Sequence, residues 1–207
     1  TFFDSDISPN RVSQAEKDWP ELIASVARSI IRTAKDRQIT PDTLQRTLAE
    51  AVQPHPLLAM GSEVYSSYQQ ALNYRSAVDF DDLIRLALAA LNADPSYLDR
   101  LRHRWPFILE DEAQDSSRLQ EEILRLLTGA RGNWVRVGDP NQAIYETFTT
   151  ASPQYLINFL KEEDVTPCSL PNSGRSSYSI IRLANYLIDW VRKDHPQLDL
   201  QDALTLP

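Results

Sequence analysis

Two short strings carry residue types that could act on a phosphate ester. In the first, the apolar run Phe107-Ile108-Leu109 leads into Glu110-Asp111-Glu112-Ala113-Gln114-Asp115. An apolar strand ending in Asp-Glu sets two carboxylates at the carboxyl edge of a parallel sheet, where open α/β folds bind ligands. There Asp111 suits a hard cation such as Mg²⁺, held directly or through water, and Glu112 suits polarising an attacking water for phosphoryl transfer. The second string, Val135-Arg136-Val137-Gly138-Asp139-Pro140-Asn141-Gln142-Ala143-Ile144-Tyr145, again starts apolar. Gly138 permits a tight turn, and the Gln142 amide can donate to a phosphate oxygen and accept from water. Tyr145 and Phe148 offer faces on which unpaired bases could stack. Each string alone also has a plainer reading: an acidic strand-to-helix turn with Asp115 as a cap, a turn at Asp139-Pro140-Asn141, and core aromatics.

Positioning these strings requires alternating strands and helices, and the hydrophobic spacing supplies them from Asp79 onward. Asp79 is placed as an N-cap with Asp82 three residues on and a stripe of Leu83, Leu86, Ala87 and Leu91 behind it. Asp94-Pro95-Ser96 starts a further helix that stops near Trp105-Pro106. Strands are expected at 107–109, 134–137 and 165–170, and helices at 116–128, 153–160 and 176–192. Leu119, Ile123, Leu126 and Leu127 lie on one face of the first of these helices, and Gly129 is placed to end it. This is the rhythm of a parallel sheet. Residues before 77 show helices without strands: one opening at Pro20, one at Thr40-Pro41 with Leu44, Leu48 and Val52 on one face and Pro54 at its end, and one over 62–76. The last 15 residues suggest an extended connector.

Composition sets the outer limits. The chain has 207 residues, 42% hydrophobic and 24% charged, ordinary for a globular protein. Its longest unbroken apolar run, Leu86 to Leu91, falls far short of the ~20 residues that cross a bilayer, so no membrane partner is expected. The first residues lack a basic and an apolar region, which speaks against a signal peptide. Cys168 stands alone, excluding an intrachain disulfide and a cysteine zinc cluster, and points to a reducing, cytoplasmic setting. The net charge of -8 argues against an indiscriminate nucleic-acid binder, and sixteen of the 29 acidic residues fall within 77–165. Among the five glycines none precedes a lysine, so these residues contain no G-K-[ST] phosphate loop.

In order and in approximate spacing, Asp111-Glu112-Ala113-Gln114-Asp115 followed by Gly138-Asp139-Pro140-Asn141-Gln142-Ala143-Ile144-Tyr145 resembles motifs II and III of the UvrD/Rep family of superfamily 1 DNA helicases. Ala77-Val78-Asp79-Phe80-Asp81-Asp82-Leu83-Ile84 is similar to the segment by which that family re-enters its first RecA-like domain after a helical insertion. Leu170 to Ser176, then Ile181, Ala184 and Asn185, resemble motif IV and its helix. The likeness covers residues 62 to 190. Asn73-Tyr74-Arg75-Ser76 spells motif IV more faithfully than Ser173-Gly174-Arg175-Ser176, but it precedes motif II, so Arg75 is expected at a helix end on the surface.

The resemblance implies an α/β fold: a partial RecA-like parallel sheet of the P-loop NTPase type with a helical insertion subdomain. Residues 1–76 would be the insertion, 77–164 the latter part of the first RecA-like domain, and 165–207 the start of the second with a connector. It implies an ATP-dependent helicase that moves on single-stranded DNA and opens duplex DNA, with ATP and Mg²⁺ as cofactors. Asp111 would be the Mg²⁺ ligand, Glu112 the catalytic base, Gln142 a γ-phosphate contact and Arg175 the arginine supplied by the second domain, worth ~10³ to 10⁵ in rate. Tyr145 and Phe148 would lie along the DNA. Two positions depart from the family. Glu110 replaces an apolar residue and would raise neighbouring carboxylate pKa values, and Glu146-Thr147-Phe148-Thr149-Thr150-Ala151 replaces an aromatic followed by Arg-Gly-Ala. The other reading is a non-catalytic DNA- or protein-binding module; a metal-dependent nuclease would want a Lys or His beside the carboxylates, and His103 belongs to a separate helix. Without a phosphate loop the fragment should not hydrolyse ATP alone. The 107–109 strand should keep an unpaired edge and the Leu119, Ile123 and Leu127 stripe should be short of cover, so self-association or a rearranged segment is expected.

Overall fold

The computed structural model describes residues 9–53, 55–129, 132–143, 150–201 and 204. Three helices lead: α1 (Pro9–Asp36), α2 (Pro41–Glu50) and α3 (Pro56–Tyr74). Pro41 and Pro56 stand in first turns, where a missing N–H costs nothing, and the Thr40 hydroxyl accepts the N–H of Thr43. The helix expected to open at Pro20 instead runs upstream to Pro9. A proline inside a helix forfeits one backbone bond, and here the helix continues through Pro20, next to the half-exposed Trp19. Helix α3 likewise begins six residues before the expected 62. These helices close over Ile31, Ala34 and Tyr65, with Ile39 and Leu44 packed alongside. Val52, expected on the buried face of α2, lies past its end and is 98% exposed. Arg75 caps the end of α3 on the surface, as expected.

Helix α4 (Phe80–Ala93) starts at Asp79, whose carboxylate accepts the N–H of Asp82. Its buried side is Asp82, Leu88 and Leu91, whereas Leu83 and Leu86 of the expected stripe are exposed. The helix is rotated because its first turn answers to a charge rather than to a hydrophobic contact. Lys35, near the end of α1, is fully buried, with its ammonium 2.6 Å from Asp79 Oδ2 and 3.0 Å from Asp82 Oδ2. The Tyr68 hydroxyl of α3 donates to the same Asp79 oxygen at 2.9 Å, and Arg85 lies 3.1 Å from Asp82 Oδ1. Burial works to raise the Asp79 carboxyl, but the bonds from Lys35, the Asp82 amide and Tyr68 outweigh it and hold it below the usual range. Burial and the bond to Asp79 push the Tyr68 phenol up to about 12. Three helices therefore meet on one buried ionic cluster.

Helix α5 (Pro95–Arg104) is capped by Asp94 and leads into strand β1 (Ile108–Glu110). Helix α6 (Arg118–Thr128) follows, with a full capping box from Ser117 and Gln120. Gly129, at φ +57°, ends it. Strand β2 (Trp134–Arg136) then pairs parallel to β1, Ile108 opposite Trp134 and Glu110 opposite Arg136. Helix α7 (Pro153–Phe159) covers this unit with Leu156 and Phe159. The described residues are thus mostly helical with a two-stranded parallel sheet. Residues 165–170 do not form the expected third strand: among the described residues no strand is paired with them, and an extended segment without a ladder is only a loop. Helix α8 (Tyr178–Asp194) buries no residue and leaves Ile180, Leu183 and Leu187 exposed. Beyond it a 3-10 turn, Leu198–Leu200, stands where an extended connector was expected. No helix of the described residues is long and apolar enough to cross a membrane.

Candidate active site

Because β1 and β2 run parallel, both chain exits leave from one edge of the sheet. The ladder continues past the strands, with Val137 N–H bonded to the Glu110 carbonyl at 2.8 Å and Ala113 N–H to the Val137 carbonyl at 2.9 Å. The two strings singled out for chemistry therefore meet in space. After β1 the chain bends sharply: Asp111 and Glu112 are exposed, Glu112 adopts the left-handed conformation (φ +51°, ψ 42°), and a 3-10 turn over Ala113–Asp115 carries the chain inward. That conformation costs a non-glycine residue about 1–2 kcal/mol, so the surroundings must hold it.

Asp111 Oδ1 accepts the N–H of Glu112 at 3.0 Å. Gln114, only 2% exposed, donates from its side-chain nitrogen to Glu112 Oε2 at 2.7 Å and accepts the Asp139 N–H at 3.1 Å. After β2, Gly138 passes so close that a Cβ on it would lie 2.5 Å from Gln114 Oε1 and 3.0 Å from both Ala113 N and Leu156 Cδ2. Only glycine fits. Asp139 then organises the 3-10 turn Pro140–Gln142, accepting the Asn141 N–H at 3.0 Å and the Gln142 side-chain amide at 2.8 Å. The structure therefore joins Asp111, Glu112 and Gln142 on one ledge. Arg175 is exposed in the loop before α8, and no hydrogen bond or ion pair links it to that ledge. Tyr145 and Phe148 lie outside the described residues.

Glu110, the carboxylate that stands just before Asp111, is ion-paired. Its carboxylate lies 2.7 Å from Nε of Arg136, a guanidinium with no solvent exposure, and accepts from Ser116 and Trp134. Arg136 sits over the rings of Trp134 and Phe159, at 4.6 and 5.1 Å from their centres. Glu110 and Arg136 face each other across the ladder, an opposite-charge pairing readable once register is known. The sequence assigned Gln114 no role of its own; its bridge between the two strings depends on the pairing of β1 with β2.

Two depressions flank the ledge. A cleft of about 500 Å³ lies between α1, α4 and the start of α6, lined by Arg32, Asp36, Phe80, Asp81, Asp115 and Thr150. Burial raises the Asp81 carboxyl there against the pull of Arg32, 3.8 Å away. The second, of about 550 Å³, runs along the free side of β1 past Leu83, Ala87, Leu109 and Ile123 to Asp111. Leu109 is 78% exposed along it, and among the described residues β1 pairs with β2 alone, which is the expected unpaired edge, although Leu119 of α6 is fully covered.

Residues 4–164 match the UvrD/REP helicase N-terminal domain. The chain belongs to the UvrD/REP helicase family. Its similarity to curated UvrD-like proteins agrees: it is 35% identical over 164 residues to the ATP-dependent DNA helicase UvrD2 of Mycobacterium tuberculosis, covering 76% of this chain and 23% of that protein. To the ATP-dependent DNA helicase PcrA of Staphylococcus aureus it is 29% identical over 184 residues, 88% of this chain and 24% of that protein. The chain spans about a quarter of the length of these UvrD-like relatives.

Proposed function

We propose that this chain is the part of an ATP-dependent DNA helicase that carries the water-activating half of the ATP site, within a RecA-like domain of the P-loop NTPase type. The observation that supports it is the joining of Asp111, Glu112 and Gln142 at the common carboxyl edge of β1 and β2. The donor set fits Mg²⁺. That ion keeps several waters and takes one or two carboxylates plus substrate phosphates rather than a protein cage, and the described residues offer an exposed Asp111 without any cluster of three ligating side chains. When bound, the ion would neutralise charge building on the transferred phosphate.

In this reading Asp111 holds the ion, while Glu112, fixed by Gln114, accepts a proton from the attacking water through its outward oxygen. Gln142, pinned by Asp139, presents its amide to the terminal phosphate. Arg175 reaches the phosphate only when the segment from 165 onward, read as the start of a second RecA-like domain, closes on the first. Tyr145 and Phe148 contact single-stranded DNA. Residues 1–76 form the helical insertion, anchored to 77–164 by the Lys35 cluster. A phosphate-cradling segment from elsewhere in the helicase fits the groove along β1, which leads to Asp111; in its absence a second copy of the chain covers that edge. In the complete helicase, Asp111→Asn should raise the Mg²⁺ concentration for half-maximal DNA-stimulated ATP hydrolysis at least about tenfold. An unchanged Mg²⁺ requirement would remove Asp111 from the metal site, and undiminished ATP turnover when both Asp111 and Glu112 are replaced would favour the second reading, in which this chain is a binding module with no hydrolytic role.

A further inference from the structure

A continuous line of hydrogen bonds crosses the ledge. The Gln142 amide donates to Asp139 Oδ2 at 2.8 Å, the Asp139 N–H donates to Gln114 Oε1 at 3.1 Å, and the Gln114 amide nitrogen donates to Glu112 Oε2 at 2.7 Å. We propose that Gln114 is a positioning residue that fixes the Glu112 carboxylate and couples its place to that of Gln142 through the Asp139 backbone. The proposal rests on reading Glu112 as the base.

Three features of the structure converge on this role. Gln114 is among the largest fully buried side chains, and a buried amide is costly unless both its ends are satisfied. Here both ends are satisfied, and by different strand exits. A side chain needed only to fill this space would be apolar. The bond to Glu112 has an ionised acceptor, the stronger kind, and it restrains a carboxylate whose backbone already sits in an unfavourable left-handed conformation. Finally, the collision that any Cβ at 138 would make with Gln114 Oε1 shows the second loop shaped around this amide. Glu112 is thereby left Oε1 for a proton, and a shift of the 138–142 turn, which carries Gln142, pulls on Gln114, the partner of the other oxygen, Oε2.

The first test needs neither nucleotide nor metal. In the ¹⁵N-labelled 207-residue chain carrying Glu112→Ala, the Gln114 side-chain amide protons lose their carboxylate acceptor and move upfield. The Asp139 N–H, the next member of the line, exchanges with deuterium about tenfold faster, while amides of α6 keep their protection. Unchanged Gln114 and Asp139 signals would overturn the proposal. The second test uses the complete helicase with Gln114→Glu, which keeps the shape and replaces the donor by a carboxylate oxygen. The kcat for ATP falls at least about tenfold with KM within about twofold; a wild-type kcat would again overturn it. Glu112→Gln run in parallel separates the two levels. Full turnover there sinks the reading of Glu112 as base, whereas lost turnover there with full turnover in Gln114→Glu sinks only the positioning role.

Discussion

Replacing Lys35 by methionine isolates the device that locks the leading helices to α4. The ammonium has no solvent exposure and lies 2.6 Å from Asp79 and 3.0 Å from Asp82. Methionine fills most of the same space, so the loss is mainly electrostatic. Breaking a buried ion pair by removing one partner costs about 3–5 kcal/mol, because the other charge is left stranded. Asp82 keeps Arg85 at 3.1 Å, and Asp79 keeps the Tyr68 hydroxyl and the Asp82 N–H. These put the cost at the low end, about 3 kcal/mol. With a urea m-value of about 2–3 kcal/mol/M for a chain of this size, the unfolding midpoint should fall by about 1–1.5 M when followed by circular dichroism. Adding Asp79→Asn removes a stranded charge and should recover a good part of that loss. A midpoint shift under about 0.3 M, or a double variant weaker than the single one, would refute the assignment of the cluster as the clasp.

Four further outcomes follow from the same geometry. Gly138→Ala should destabilise the chain by about 1–3 kcal/mol through overpacking against Gln114 and Leu156, measured as a urea midpoint; a neutral effect would mean that the loop does not press on Gln114. Asp79 is held below its ordinary value of 3.8, so its contribution is fully present above that value and is lost as pH falls through the lowered one. Acid should therefore erode stability below about pH 4, with an opposing trend from the raised Asp81, and Lys35→Met should flatten the erosion in a pH series of unfolding midpoints. With Leu109 exposed on the free edge of β1, light scattering should show a dimer that Leu109→Lys dissociates; a strictly monomeric wild type would contradict this. The 207 residues should bind single-stranded DNA no tighter than ~10⁻⁴ to 10⁻⁶ M at physiological salt, and nanomolar affinity by fluorescence anisotropy would favour the binding-module reading.

What could be read from the sequence was local or carried by short motifs. The Asp79 cap, the end of α6 at Gly129 and the β1-α6-β2 unit each depend on residues a few positions apart, and all three are present. The meeting of the two chemical strings followed once the strands were taken as parallel. Lys35 could not be recognised, because a lysine in the last turn of a helix looks solvated until carboxylates 44 and 47 residues away close on it. The Gln114 bridge is hidden for the same reason: its acceptor role depends on Asp139, which only the pairing of β2 brings within reach. The third strand failed because strand character at 165–170 is realised only against a neighbouring strand. The α4 stripe was misjudged by rotation, since its first turn faces an ionic partner instead of the core.

Glu112→Gln in the complete helicase addresses the central claim most directly. The substitution preserves size and can still pair with Gln114, but it removes the proton acceptor. DNA-stimulated ATP turnover should fall at least about a hundredfold, while ATP binding, measured by fluorescence of a nucleotide analogue, stays within about twofold. Turnover at the wild-type rate with intact binding would show that the carboxylate at the end of β1 is not the group that activates water.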